Sequence, residues 1–121
     1  MTRHIFVFGS NLAGAHGGGS AAHAHDAHGA EWGVGVGPTG NSYAIPTLDR
    51  NLQKLALHDI HAHVLDFLAY AAYQPELAFD VVAIGCGIAG FTPTEIGPMF
   101  RGAPPNCNLP TEFLPFLEDA A

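Results

Sequence analysis

The sequence predicts an α/β domain of three layers, α/β/α, built on a mostly parallel mixed sheet. Three observations predict it. Residues 4–8 and 79–84 are short apolar, β-rich runs, and each ends in a glycine cluster. Each cluster is followed by a helix-start signal. The longest helical periodicity lies between the two runs, so strand and helix alternate along the chain, which places parallel strands under covering helices. A length of 121 residues suits one domain, residues 1–121, and is too short for two.

The elements follow in order. The first run, Ile5-Phe6-Val7-Phe8, stops at Gly9-Ser10-Asn11, as a buried strand does on entering a loop. Gly14 to Ser20 is the first glycine cluster, and residues 21–28 are good helix formers. Pro38-Thr39-Gly40-Asn41 signals a turn. Residues 42–45 read as a short strand that Pro46 ends, because proline cannot donate to the ladder. From Leu52 to Tyr73 the apolar residues Leu52, Leu55, Ile60, Val64, Phe67, Leu68 and Ala71 recur at helical spacing as one buried stripe. Asp59 is placed to cap a second segment of that helix, and Gln74-Pro75 closes it. Residues 79–84 form the next buried strand. Thr92-Pro93-Thr94-Glu95 fits a capping box with proline at the first helical position, and Gly97-Pro98 keeps that helix short. The proline-rich tail from Pro104 to Ala121 has room for one short helical turn.

Composition narrows the function. Hydrophobic residues make up 48% and charged residues 12%, which supports a packed core rather than disorder. No segment approaches the roughly 20 unbroken apolar residues of a membrane span. The N-terminal run is interrupted by Ser10-Asn11 too soon for a signal peptide. Cys86 and Cys107 have no metal-type spacing and no disulfide framework, so reduced thiols and a cytoplasmic setting are expected. The net charge is −7, with only Arg3, Arg50, Lys54 and Arg101 as basic side chains. That excludes a nucleic-acid groove, which needs a dense basic face. If this chain holds a phosphate, main-chain N–H groups and helix N-termini must do most of the work.

Both glycine clusters are suited to that task. Each falls at the carboxyl end of a strand, the edge where open α/β sheets bind ligands. Glycine lets a ligand approach the backbone without a Cβ in the way, and the following helix aims its unpaired N–H groups at the gap. The plainer account is that the glycines only make tight turns. Residues 85–90 also match G-x-G-x-x-G. A dinucleotide site would need a further strand and an acidic residue about 20 residues on. The chain there runs Pro-Pro-Asn-Cys-Asn-Leu-Pro instead.

Phe8-Gly9-Ser10-Asn11 with Gly17-Gly18-Gly19-Ser20, and Gly87-Ile88-Ala89-Gly90-Phe91 after a buried strand, resemble the two motifs of the macro domain, the ADP-ribose-binding family. The whole chain also resembles a compact, macro-like group of phage and bacterial proteins with patterns like Phe-Gly-Ser-Asn-Leu-Ala-Gly and Ile-Gly-Cys-Gly-Ile-Ala-Gly. The resemblance implies a compact macro-domain-like fold that binds ADP-ribose or an ADP-ribosylated macromolecule and needs no cofactor. It implies that Asn11 hydrogen-bonds the distal ribose, with Ser10 beside it, and that Gly17, Gly18, Gly19 and Ser20 wrap that ribose and the adjoining phosphate. Gly87, Ile88, Ala89 and Gly90 would donate to the pyrophosphate, and Phe91 would pack on the distal ribose. Hydrolytic members carry an acidic residue just after the glycine cluster, where this chain has Ser20-Ala21-Ala22. That difference favours a non-catalytic binding module as the alternative to an ADP-ribosyl hydrolase.

For hydrolysis, a carboxylate must activate water. Asp49, just past the strand at 42–45, is the candidate, and a helix N-cap is its plainer account. Asn11 would orient a water held by the substrate phosphate. His16 lies inside the first glycine loop and is a candidate ligand contact. The other histidines, including the clusters His23-His25-His28 and His58-His61-His63, read as solvated side chains, and no metal set is assigned. Cys86 reads as a buried thiol rather than a nucleophile. Trp32 and Tyr43 read as core or rim aromatics, either of which could stack on a base. A last reading is assembly: Phe113, Leu114, Phe116 and Leu117 would dock on a neighbouring subunit.

Overall fold

Strand β1, Arg3–Asn11, is the middle of the sheet, and its alternating side chains feed two separate cores. In the computed structural model, which describes residues 2–118, Ile5 and Val7 enter one cluster and Phe8 enters the other. That is the period-two geometry of a strand covered on both faces. The remaining elements are α1 (Gly19–Ala27), β2 (Gly37–Thr39), β3 (Ser42–Leu48), α2 (Leu57–Ala72), β4 (Leu77–Val81), α3 (Pro93–Ile96) and β5 (Cys107–Asn108). Two 3-10 segments, Gly97–Phe100 and Thr111–Phe116, complete the elements of the described residues.

The sheet has five strands in the order β2-β3-β1-β4-β5. Strands β3, β1, β4 and β5 run parallel, and β2 pairs antiparallel with β3. From β1 the chain crosses one way to β3, then returns over β1 to β4. Two right-handed crossovers in opposite directions must pass over opposite faces of a sheet. Accordingly, Ala21 and Ala24 of α1 pack with Phe8 and Ala44, whereas α2 packs on the face of Tyr43, Ile45 and Phe79. The stripe Ile60, Val64, Phe67, Leu68 and Ala71 is buried as its spacing predicts. Each of the four larger side chains, Ile60, Val64, Phe67 and Leu68, contributes about 1.5–3 kcal/mol by leaving water.

Several sequence expectations are corrected. Pro46 does not end its strand, and β3 continues to Leu48. Strand β2 reaches only to Ala44, so one side of β3 is open at Pro46 and a missing donor costs little there. Helix α2 begins at Leu57 rather than Leu52, which leaves Leu52 exposed and Leu55 half-buried. The N-cap is Ala56; Asp59 sits in the first turn, where its charge complements the helix dipole. The predicted turn at Pro38–Asn41 is a hairpin joining β2 to β3, and the strand predicted at 79–84 is β4, closing at Val81.

The C-terminal half follows its local chemistry. The Thr92–Glu95 capping box forms, and the Gly97–Phe100 segment continues α3. In the tail, Phe113 is fully buried and stacks on Phe100, with ring centroids 5.3 Å apart. It therefore completes this chain's own core, whereas Leu114 is exposed and Phe116 and Leu117 are half-buried. Arg101 holds the end of this segment by donating from Nε to the Phe116 carbonyl at 2.9 Å.

Candidate functional site

Strands β1 and β4 are neighbours whose following connections leave in opposite directions, toward β3 and toward β5. Such a switch point opens a crevice at the carboxyl ends of the two strands. A cleft of about 750 Å³ lies there. Its floor is Gly9, Ser10 and Asn11 of β1 with Thr47 and Leu48 of β3. One wall is Ala15, Gly17 to Ala21, and Trp32; the other is Val82, Ala83 and Gly85 to Ala89. The second glycine loop lies close against β1: a Cβ added to Gly9 would lie 3.3 Å from the Gly85 nitrogen. Across the top, Ile88 Cδ1 lies 3.2 and 3.1 Å from where Cβ atoms on Gly18 and Gly19 would be. Ile88 is 78% exposed, so it straps the opening without filling the space beneath.

The walls are rich in unused donors. Helix α1 starts after Gly18 with no side-chain cap and no acidic residue in its first turn. The N–H groups of Gly19, Ser20 and Ala21 therefore lack intrahelical partners. On the facing wall, the N–H groups of Gly87, Ile88 and Ala89 have no partner among the described residues. The adjacent α3 differs, because Thr92 and Glu95 satisfy its first amides. Both helix starts reach the cleft, α3 through Pro93; the chain caps that one and leaves the start of α1 open.

Each expected side chain has a definite place. Asn11 is buried and grips Ala15 from both sides: Nδ2 donates to the Ala15 carbonyl at 2.8 Å and Oδ1 accepts from its N–H at 3.0 Å. This fixes the start of the first glycine loop and leaves one donor hydrogen and one lone pair on the amide. The Ser10 hydroxyl donates to the Gly35 carbonyl, so it braces the floor. Gly35 must be glycine, since a Cβ there would come within 2.0 Å of the Asn11 oxygen.

His16, Asp49, Gly90 and Phe91 stand behind the cleft lining. His16 is 2% exposed, and its Nε2 donates to the Glu31 carbonyl at 2.9 Å. Its Nδ1 is buried with no partner among the described residues. The ring supports Trp32 edge-on at 5.9 Å, and Trp32 itself is an exposed rim residue. Tyr43 is the core aromatic, and burial, then Asp66 and Tyr70, push its phenol up to about 12. Phe91 is buried in the α2-side core with Lys54 Nζ 4.7 Å above its ring, and that ammonium donates to the Gly90 carbonyl at 3.0 Å.

Asp49 is not a helix cap. Its Oδ1 accepts from the N–H groups of Asn51 and Gln53 at 2.8 and 3.0 Å, closing a tight loop before α2. That loop holds Leu52 at φ 61°, a left-handed conformation that branched and bulky side chains avoid, and presents it at the cleft mouth.

Among the histidines, His23 and His28 meet with their Nε2 atoms 3.2 Å apart, whereas His25 turns away to the Ala30 carbonyl. Cys86 is half-buried on the cleft wall rather than in the core, and burial first, then Glu112 and Glu95, raises its thiol above the ordinary value. It is thus a poor nucleophile at neutral pH.

Sequence reasoning missed Glu112. It lines the cleft beside Pro93, and it is the one charged side chain on that wall among the described residues. Its placement depends on the buried anchor at Phe113, whose neighbour must then face outward. No protein-family model, curated protein or solved structure matches the chain. Among the described residues, no helix is long and apolar enough to cross a membrane.

Proposed function

We propose that this chain is a compact, three-layer, macro-like domain that binds ADP-ribose or a related nucleotide diphosphate between its two glycine loops. One observation carries the reading. Gly19 to Ala21 and Gly87 to Ala89, whose amides are unpaired, line one cleft. Such an arrangement solvates a diphosphate with dipoles instead of cations, which suits a chain of net charge −7. The cleft volume falls within the range of small-molecule sites. Trp32 and Leu52 at the mouth supply apolar surface for a base or sugar face.

Binding without turnover is the form of this reading that the side chains favour. Asp49 spends one carboxylate oxygen on its own loop, and Asn11 is engaged with Ala15. Neither is presented as a free water-activating group. The protein then sequesters a nucleotide signal or recognises an ADP-ribosylated partner. Calorimetry with ADP-ribose, ADP and NAD should give one site for the diphosphates, and O-acetyl-ADP-ribose should bind without being hydrolysed. Absence of binding by all of them refutes the proposal. Turnover of the ester, lost in Asn11→Ala, would instead restore the hydrolase reading.

A further inference from the structure

We infer that His23 and His28 form a two-point chelate for a divalent transition-metal ion of the zinc type, on the C-terminal half of α1 and apart from the cleft lining. Their Nε2 atoms lie 3.2 Å apart. Zn–N bonds run about 2.0–2.1 Å, so one ion bound to both nitrogens at that separation would subtend an angle of about 100–105°, close to tetrahedral. The ring orientations agree. Nε2 lies about 1.15 Å from its ring centre, so a head-on hydrogen bond would set the centroids about 5.5 Å apart, and two rings aimed at one shared ion would set them about 5.0 Å apart. The centroids are 4.9 Å apart, with the planes at 73°.

Both rings are held in this pose by the fold itself. Phe6, on the central strand β1, stacks flat on His28 with centroids 4.4 Å apart, and it meets His23 edge-on at 5.2 Å. The His28 backbone is pinned twice: its N–H donates to the Ala24 carbonyl at 3.0 Å, and its carbonyl accepts from the Asn41 N–H at 2.9 Å. His23 stands inside the helix. Ligands fixed in this way lose little freedom when an ion arrives. The end of a helix where His28 sits favours a cation, and a net charge of −7 draws cations to the chain. His25 differs, because its Nδ1 donates to the Ala30 carbonyl at 2.8 Å. Among the described residues no third histidine, cysteine or carboxylate completes the set. Structural zinc sites use four protein ligands and catalytic ones three. This pair is therefore an exchangeable site whose remaining positions go to water or to a donor from outside the chain. Imidazole nitrogens select Zn²⁺, Ni²⁺ and Cu²⁺ over Mg²⁺ and Ca²⁺.

Calorimetry of the whole chain with zinc chloride, and with magnesium chloride for contrast, tests the site, together with nitrogen NMR of the histidine rings. One Zn²⁺ should bind per chain and Mg²⁺ should not, and the Nε2 resonances of His23 and His28 should move together. His23→Ala and His28→Ala should each weaken Zn²⁺ binding by at least about tenfold, because the second, intramolecular contact is lost. His61→Ala, which removes an exposed histidine of α2, should bind Zn²⁺ as wild type does. His23 is exposed, so His23→Ala should melt as wild type does and decides the matter even where His28→Ala, deprived of its stack on Phe6, fails to fold. Three results overturn the inference: no binding up to about 1 mM Zn²⁺, ring shifts confined to other histidines, or a folded His23→Ala variant that binds Zn²⁺ as tightly as wild type.

Discussion

Replacing Gly18 by Asp should make the protein more stable and empty its cleft of anions at once. Gly18 is the uncapped N-cap of α1, at φ −157° and ψ 165°, an extended conformation open to any residue. A carboxylate there would accept from the second or third amide of the helix and oppose the positive end of its dipole. The cap contributes a few tenths of a kcal/mol over glycine, the dipole about 0.3–1 kcal/mol, and the lost freedom of the unfolded chain about 0.4–1 kcal/mol. Against this stands the Ile88 Cδ1 contact at 3.2 Å, the far end of a flexible side chain. The net gain is about 1 kcal/mol, or about 3–5 °C in Tm for a chain this size.

The same carboxylate occupies the amides that a diphosphate needs and repels it. At about 4–5 Å and an effective dielectric constant near 20, each pair of like unit charges costs about 3–4 kcal/mol, so affinity should fall more than about 100-fold. Gly18→Ser, a neutral cap, should stabilise less and bind more. Differential scanning fluorimetry and calorimetry read both effects. A stabilised Gly18→Asp variant that still binds ADP-ribose as wild type does would refute the amide cradle.

Asn11→Ala removes both bonds to Ala15 and should cost about 2 kcal/mol in urea unfolding, with at least tenfold weaker ADP-ribose binding; an unchanged midpoint contradicts the clamp. Gly35→Ala forces the backbone away from Asn11 and should cost about 3 kcal/mol or more, so an unshifted melting curve would show that the two segments do not touch. Stability should also fall in alkali. Burial raises Cys107 from 9.0 to about 11, and burial, then Asp66 and Tyr70, raises Tyr43 from 10.0 to about 12. Folded values above unfolded ones mean a contribution fully present below pH 9 and lost as pH rises through 9 to 12. The Tyr43 part is roughly 3 kcal/mol. Tyr43→Phe should flatten the pH 10–12 limb in thermal melts, and an equally steep limb in that variant rejects the assignment.

Local chemistry made part of this legible. The Thr92–Glu95 box, the α2 stripe from Ile60 to Ala71 and the strand at 4–8 each declare themselves within a short window, because capping and periodicity are local. The boundary of α2 was not legible. Leu52 and Leu55 keep a helical rhythm, but the Asp49 side chain diverts the backbone into a loop. The glycine clusters announced a cleft, whereas its bracing did not appear in the sequence. Ser10 and Gly35 are 25 residues apart, and His16 reaches the Glu31 carbonyl only after folding. Glu112 was hidden for the same reason: its position follows from where Phe113 docks, a tertiary fact with no nearby signal.

The open start of α1 has a consequence for how any anion would be held. A lysine-lined groove draws its ligand by exchanging mobile salt ions, so its grip loosens as the medium becomes more saline. Peptide dipoles have no such ions to release. A receptor of this kind should lose its hold less steeply with salt than such a groove does, through screening alone, and its discrimination would come from shape and bond direction rather than from net attraction.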